Sequence, residues 1–213
     1  EPELGFDPVG MRVIDPECIN IMVTGHQHSM FGSLTGMMEH PEIKEMADRA
    51  GARGIRIVGC TCVGQDFQAR SRCYEKVFCG HAGNNYSSEA VLLTGCIDLV
   101  VSEFNCSLPG IEPICEELSI PMLCLDDVAK KKGARHLPYH PEDREDVSVN
   151  VIAAAIAPYA GRGAGSMRSQ QPFQSQGRVS DRRRVFELFR AGPPVEDSGA
   201  LQGAFPRCGF AAP

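Results

Sequence analysis

Two hydrophobic rhythms alternate along the chain. Short apolar runs stand at residues 19–23, 55–58, 97–101 and 122–125, a length and β-branched content that predict buried strands. Between them the apolar residues recur at helical spacing. Met37, Met38, Ile43, Met46 and Ala47 predict a helix over 29–50, broken at Pro41 because proline lacks an amide proton and clashes with the preceding turn. Further helices are predicted over 64–72, 87–93 and 109–118, the last opened by Pro109, whose fixed φ suits a first helical turn. Asp126 or Asp127 can cap a short helix that ends in Lys130, Lys131 and Lys132, cations favoured by the dipole at a helix C-terminus. A final helix is predicted over 141–157, with Glu142, Asp143 and Glu145 in its first turns and Val147, Val151, Ile152, Ala155 and Ile156 on its apolar side.

Strands separated by helices require crossover connections, which are right-handed and build a parallel sheet. The expected fold class is therefore α/β: a Rossmann-like parallel sheet with helices on both faces, plus a largely disordered C-terminal tail. In open parallel sheets ligands gather outside the carboxyl ends of the strands.

Composition divides the chain in two. Of its 213 residues 43% are hydrophobic, enough for a domain with a buried core. Residues 1–160 carry 13 basic and 23 acidic side chains, whereas 161–213 carry 8 and 4. The expected organisation is a Rossmann-like domain over 1–160 and a Gly/Ser/Arg/Pro-rich tail over 161–213 that is disordered or out of frame with the fold. A formal charge of -6, with no interleaving of basic and aromatic residues, argues against nucleic acid as a partner. No apolar run reaches the roughly 18 residues that a membrane span needs. No charged-then-apolar leader follows Glu1, so the expectation is a cytoplasmic piece of a longer protein.

Candidate chemistry concentrates in the first two thirds. All six histidines lie at or before His140, and nine of the ten cysteines lie at or before Cys124. Three strand ends deliver donors: His26 follows Thr24 and Gly25, Cys60 and Cys62 follow Val58 and Gly59, and Cys106 follows Ser102 and Glu103. Imidazole and thiolates meeting on one rim suit iron, zinc or nickel rather than magnesium or calcium. Cys96, Cys115 and Cys124 sit in apolar settings and read as core thiols. Cys18, Cys73, Cys79 and Cys208 have no partner spacing that compels a role, and one residue between Cys60 and Cys62 is not the two of a zinc knuckle. Asp126 with Asp127, and Glu116 with Glu117, read as helix caps and solvated faces. No G-x-G-x-x-G opens the helix after the first strand, and neither a phosphate-binding G-x-x-x-x-G-K-[ST] nor a G-x-S-x-G elbow occurs. No side chain is assigned as a catalytic acid, base or nucleophile.

The stretches INIMVTGHQHS (19–29), HPEIKEMADRAGARGIRIVGCTCVGQDFQAR (40–70), GNNYSSEAVLLTGCIDLVVSEFNC (83–106) and GARHLPYHPED (133–143) together resemble the nickel-containing carbon monoxide dehydrogenases. That family has an apolar strand ending in Gly-His, a strand ending in Gly-x-Cys-Cys-Thr-Gly, and a Val-Asp-x-Gln-Cys strand end. The resemblance covers most of residues 17–160. It implies that His26 and Cys62 bind the iron outside the cubane of a Ni-4Fe-4S cluster of nickel, iron and sulfide, and that Cys106 binds a cubane iron. It also implies oxidation of carbon monoxide with water to carbon dioxide, two protons and two electrons, and a ferredoxin-like electron acceptor. The full-length enzyme is implied to be a homodimer, with additional 4Fe-4S clusters in parts beyond this segment.

Departures from the family pattern are local. Cys60 stands where an apolar residue is usual, Thr61 where the first cysteine lies, His28 in place of proline or another small residue, and Val63 in place of threonine. The remaining cluster cysteines, the nickel ligand among them, belong in that family to a second Rossmann-like domain, so this chain alone is expected to be inactive. Three alternatives compete. A hybrid-cluster-type reductase acting on hydroxylamine or nitric oxide shares the Gly-His strand end but has a Gly-Glu-Met-type motif where this chain has GCTC. A non-catalytic remnant domain would expose an apolar rim. A zinc module would need His28 or Cys60 as a fourth ligand.

Overall fold

A computed structural model describes residues 9–26, 36, 38, 40–69, 78–103, 105–106, 110–127, 131–163, 165 and 167–168. Among them six strands form one parallel sheet in the order β3-β2-β1-β4-β5-β6. The strands are β1 (Ile19–Thr24), β2 (Ile55–Cys60), β3 (Phe78–Gly83), β4 (Leu99–Ser102), β5 (Met122–Cys124) and β6 (Arg135–His136). The α-helices are α1 (Pro41–Arg49), α2 (Thr61–Ala69), α3 (Ser88–Leu93), α4 (Ile111–Glu117) and α5 (Arg144–Arg162). This is the doubly wound Rossmann order, in which the winding reverses between β1 and β4 and leaves a crevice at their carboxyl ends.

Side chains of the central strands alternate between two cores, as the period of two in a strand requires. Ile21, Val23, Ile57 and Val101 face a layer that includes Ile43 of α1, Phe67 of α2 and Val151 and Ile152 of α5. Met22, Val58 and Val100 face the opposite layer, built with Val91 and Leu92 of α3 and Ile111 and Cys115 of α4. Every residue of β1 is buried, which is why apolar residues dominate both of its faces rather than alternating with exposed polar ones; the buried Asn20 is satisfied by the Asp15, Cys18 and Cys96 carbonyls. In register, Val23 stands beside Gly59 and Thr24 beside Ser102, so β1, β2 and β4 end level with one another.

Several elements differ from the sequence reading. The helix expected to break at Pro41 begins there, with the proline in its first turn, while residues 29–35 lie outside the described residues. α2 starts at Thr61 rather than at residue 64, because β2 passes into it without a loop through a left-handed turn at Thr61 (φ 55°). Close approach makes this possible: a Cβ on Gly64 would lie 2.6 Å from the carbonyl carbon of Gly59. β3 and the two-residue β6 are strands that the apolar pattern did not announce. Lys131 and Lys132 are not helical, and Asp127 pairs with His136 at 3.2 Å instead of capping a turn that is described. Asp126 is buried rather than solvated.

α5 continues past residue 157 and through Pro158 to Arg162, so the boundary expected at residue 160 falls inside a helix. Beyond it the Gly165 N–H donates to the Pro16 carbonyl at 3.1 Å and the Arg168 N–H to the Gly95 carbonyl at 2.9 Å. These contacts join the chain after α5 to the amino-terminal end of the sheet. The rest of the tail considered for disorder lies outside the described residues. Among the described residues no helix is long and apolar enough to cross a membrane.

Candidate metal centre

Three chain segments leave the carboxyl edge of the sheet side by side. β1 ends at Thr24 and turns at Gly25 (φ 139°), so that His26 follows just beyond the carboxyl end of the strand. β2 leads directly into α2, whose second residue is Cys62. After β4 the chain carries Glu103 and then Cys106, which also has a left-handed backbone (φ 50°). Two non-glycine residues with positive φ, Thr61 and Cys106, thus flank the same point, the pattern of strain that accompanies functional sites.

The donor atoms of His26, Cys62 and Cys106 all lie within 4.8 Å of one another, and the two sulfurs are 3.3 Å apart. His26 is exposed, whereas both cysteines are half-buried. Burial, the neighbouring Cys62 thiol and the Glu103 charge push the Cys106 thiol up to about 11, so a metal binding there at neutral pH must displace its proton. The set offers one imidazole and two sulfurs, soft and borderline donors suited to iron, zinc or nickel. Three donors leave further coordination positions to other ligands.

The other sequence candidates are elsewhere. Cys60 is fully buried in the core shared with Met22, Val58 and Val91, and burial pushes its thiol up to about 12. That removes it as a fourth zinc ligand, and His28 lies outside the described residues. Cys96, Cys115 and Cys124 are buried, as core thiols should be, and Cys18 is buried too. Cys73 and Cys208 lie outside the described residues.

Two residues with no site role legible in the sequence, Thr61 and Glu103, hold the site's backbone. The Thr61 hydroxyl accepts the Gly25 N–H at 2.9 Å and donates to the Gly25 carbonyl at 3.1 Å. Glu103 is fully buried and accepts the His26 N–H through Oε1. A carboxylate directly after an apolar strand, three residues before a candidate ligand, is the one sequence signal that could have singled out Glu103.

The fold and site together define a class: a Rossmann-type α/β domain that presents a His-Cys-Cys donor set at the point where its strand order reverses. The chain belongs to the Prismane/CO dehydrogenase family, whose model matches residues 1–196. It is 42% identical to the carbon monoxide dehydrogenase of Methanopyrus kandleri, over 76% of this chain and 25% of that relative. To the carbon monoxide dehydrogenase of Methanocaldococcus jannaschii it is 37% identical, over 76% of this chain and 26% of the relative. A solved structure of alpha subunits of acetyl-CoA synthase/carbon monoxide dehydrogenase, with NiZn[Fe4S4] and NiNi[Fe4S4] clusters, superposes with a TM-score of 0.65 at 25% identity, covering 72% of this chain and 22% of that one. The chain spans about a quarter of the length of the curated relatives it matches.

Proposed function

We propose that this chain is the segment of an anaerobic carbon monoxide dehydrogenase that contributes His26, Cys62 and Cys106 to a Ni-4Fe-4S cluster. The observation that carries this reading is the convergence of three donors, from three separate segments, to within 4.8 Å. Such a donor set fits part of a metal-sulfur group: thiolates hold iron and sulfide, and an imidazole completes a more exposed iron. When bound, the cluster would supply the redox chemistry that takes carbon monoxide and water to carbon dioxide, two protons and two electrons. Identity to relatives named carbon monoxide dehydrogenase supports that substrate, and GCTC at the second strand end disfavours the hybrid-cluster alternative.

The chain's own part is to bind and orient. Cys62 and Cys106 give up protons to bind metal, and the core under β1, β2 and β4 keeps their segments level. Three donors do not close a cluster, so the remaining ligands come from elsewhere in the enzyme and the chain alone turns over no carbon monoxide. A ferredoxin-like electron acceptor, a homodimeric full-length enzyme, further 4Fe-4S clusters outside this segment and a cytoplasmic location complete the proposal, all resting on the family resemblance. The test is anaerobic reconstitution of the chain with iron, sulfide and nickel beside Cys62→Ala and Cys106→Ala. The proposal expects iron retained by the parent and lost from both variants, little or no nickel in any of them, and no carbon monoxide oxidation. Unchanged metal content in the variants would remove these residues from the ligand set.

A further inference from the structure

Thr61 has a left-handed backbone (φ 55°), an unfavourable conformation for a β-branched residue. Its buried hydroxyl makes three contacts: it accepts the Gly25 N–H at 2.9 Å, donates to the Gly25 carbonyl at 3.1 Å, and lies 3.3 Å from the Thr24 hydroxyl. The Val63 N–H donates to the same Gly25 carbonyl at 3.0 Å. On the other side of β1, Glu103 accepts the His26 N–H, and its side chain fills the space a Cβ on Gly25 would need, 2.1 Å from Glu103 Cγ. The backbone polar groups of Gly25 and the N–H of His26 are thus held by the two segments that carry Cys62 and Cys106.

We propose that Thr61 and Glu103 form a buried clamp on the Gly25–His26 backbone that sets the position of the His26 imidazole relative to the two thiols. Both are positioning residues: neither is a metal ligand, and each acts through His26. The inference rests on the reading of His26, Cys62 and Cys106 as one metal site. The exposed His26 side chain has its place fixed from the main chain, because that is where the buried hydrogen bonds act. Groups that orient metal ligands in this way are typically worth about 10–100-fold in metal affinity.

Anaerobic cobalt(II) titration of the full chain tests the clamp with two separate readouts. Thiolate-to-cobalt charge transfer reports the cysteines, and hyperfine-shifted imidazole resonances in proton NMR report His26, with His26→Ala as the reference for their loss. Thr61→Val is expected to keep the charge transfer, lose the shifted imidazole resonances and weaken cobalt binding roughly tenfold or more, while Thr61→Ser keeps the charge transfer and restores the other two. Glu103→Leu and Glu103→Gln form a second pair with the same expectation, loss in the first and retention in the second, should Thr61→Val fail to fold by circular dichroism. Parent-like imidazole resonances and affinity in folded Thr61→Val or Glu103→Leu would overturn the clamp and leave the metal site standing. A parent that shows no charge transfer, or resonances indifferent to His26→Ala, would overturn the metal-site reading and the clamp with it.

Discussion

Arg162 and Asp98 meet in a bidentate ion pair with both side chains fully removed from solvent, Nε to Oδ1 at 2.8 Å and Nη2 to Oδ2 at 3.1 Å. Asp98 also accepts the Asn20 N–H at 2.9 Å and Arg168 Nη2 at 3.0 Å, and the Arg162 guanidinium lies 4.8 Å from the centre of the Tyr159 ring. The last described helix is thereby fastened to the amino-terminal end of β1 and β4, opposite the edge that carries the candidate metal centre.

Removing one partner of such a pair strands a buried charge, which costs about 3–5 kcal/mol. Asp98→Ala is expected to lower the stability of the chain by that order in urea unfolding. Lys44→Ala, an exposed change on α1, should alter it by less than about 0.5 kcal/mol. A chain cut after residue 160 loses the guanidinium and should show the same weakness.

Gly25 cannot accept a side chain. A Cβ there would meet Glu103, and the φ of 139° is one that residues with a Cβ rarely adopt. Gly25→Ala is expected to destabilise the fold by about 1–3 kcal/mol and to displace His26. Thermal unfolding and cobalt(II) titration of the same sample check the two effects together.

Buried thiols set an alkaline limit. Burial pushes Cys60 and Cys115 up to about 12 and Cys96 up to about 11, from an ordinary value near 9. The unfolded chain loses these protons first, so the folded state holds more protons above pH 9 and stability falls as pH rises from about 9 toward 11–12. The slope is about 1.4 kcal/mol per pH unit for each thiol that remains protonated only in the fold. Urea unfolding at pH 8 and pH 10.5 checks the direction; thiols exposed in the fold would titrate alike in both states and give no such fall. Iodoacetamide at pH 7.5 should label Cys60, Cys96 and Cys115 only on unfolding, a pattern that peptide mapping reads directly.

β1, β2, β4 and β5 are legible in the sequence because each is buried on both faces save at Arg56, so that apolar residues predominate along it, with Asn20 in β1 and Arg56 in β2 as interruptions. β3 is not: Cys79, Gly80, His81 and Gly83 dilute its pattern, and its place comes from pairing with β2. β6 is two exposed residues whose strand character comes only from lying beside β5. The convergence of His26, Cys62 and Cys106 follows from the rule that ligands gather at strand ends, once the strands are placed. The roles of Thr61 and Glu103 are not legible in the sequence because they lie in contacts across 36 and 77 residues of chain, which no local pattern encodes. The same holds for Arg162, which looks like the first charge of a basic tail until Asp98 is seen beneath it.

One imidazole and two thiolates of this chain are proposed to share a metal. X-ray absorption at the zinc edge of the anaerobically zinc-loaded chain tests this most directly. The expected shell holds two sulfurs at about 2.3 Å and one imidazole nitrogen at about 2.0–2.1 Å, with one sulfur missing in Cys62→Ala and the nitrogen missing in His26→Ala. A shell of oxygen atoms alone, or one unchanged in both variants, would contradict it.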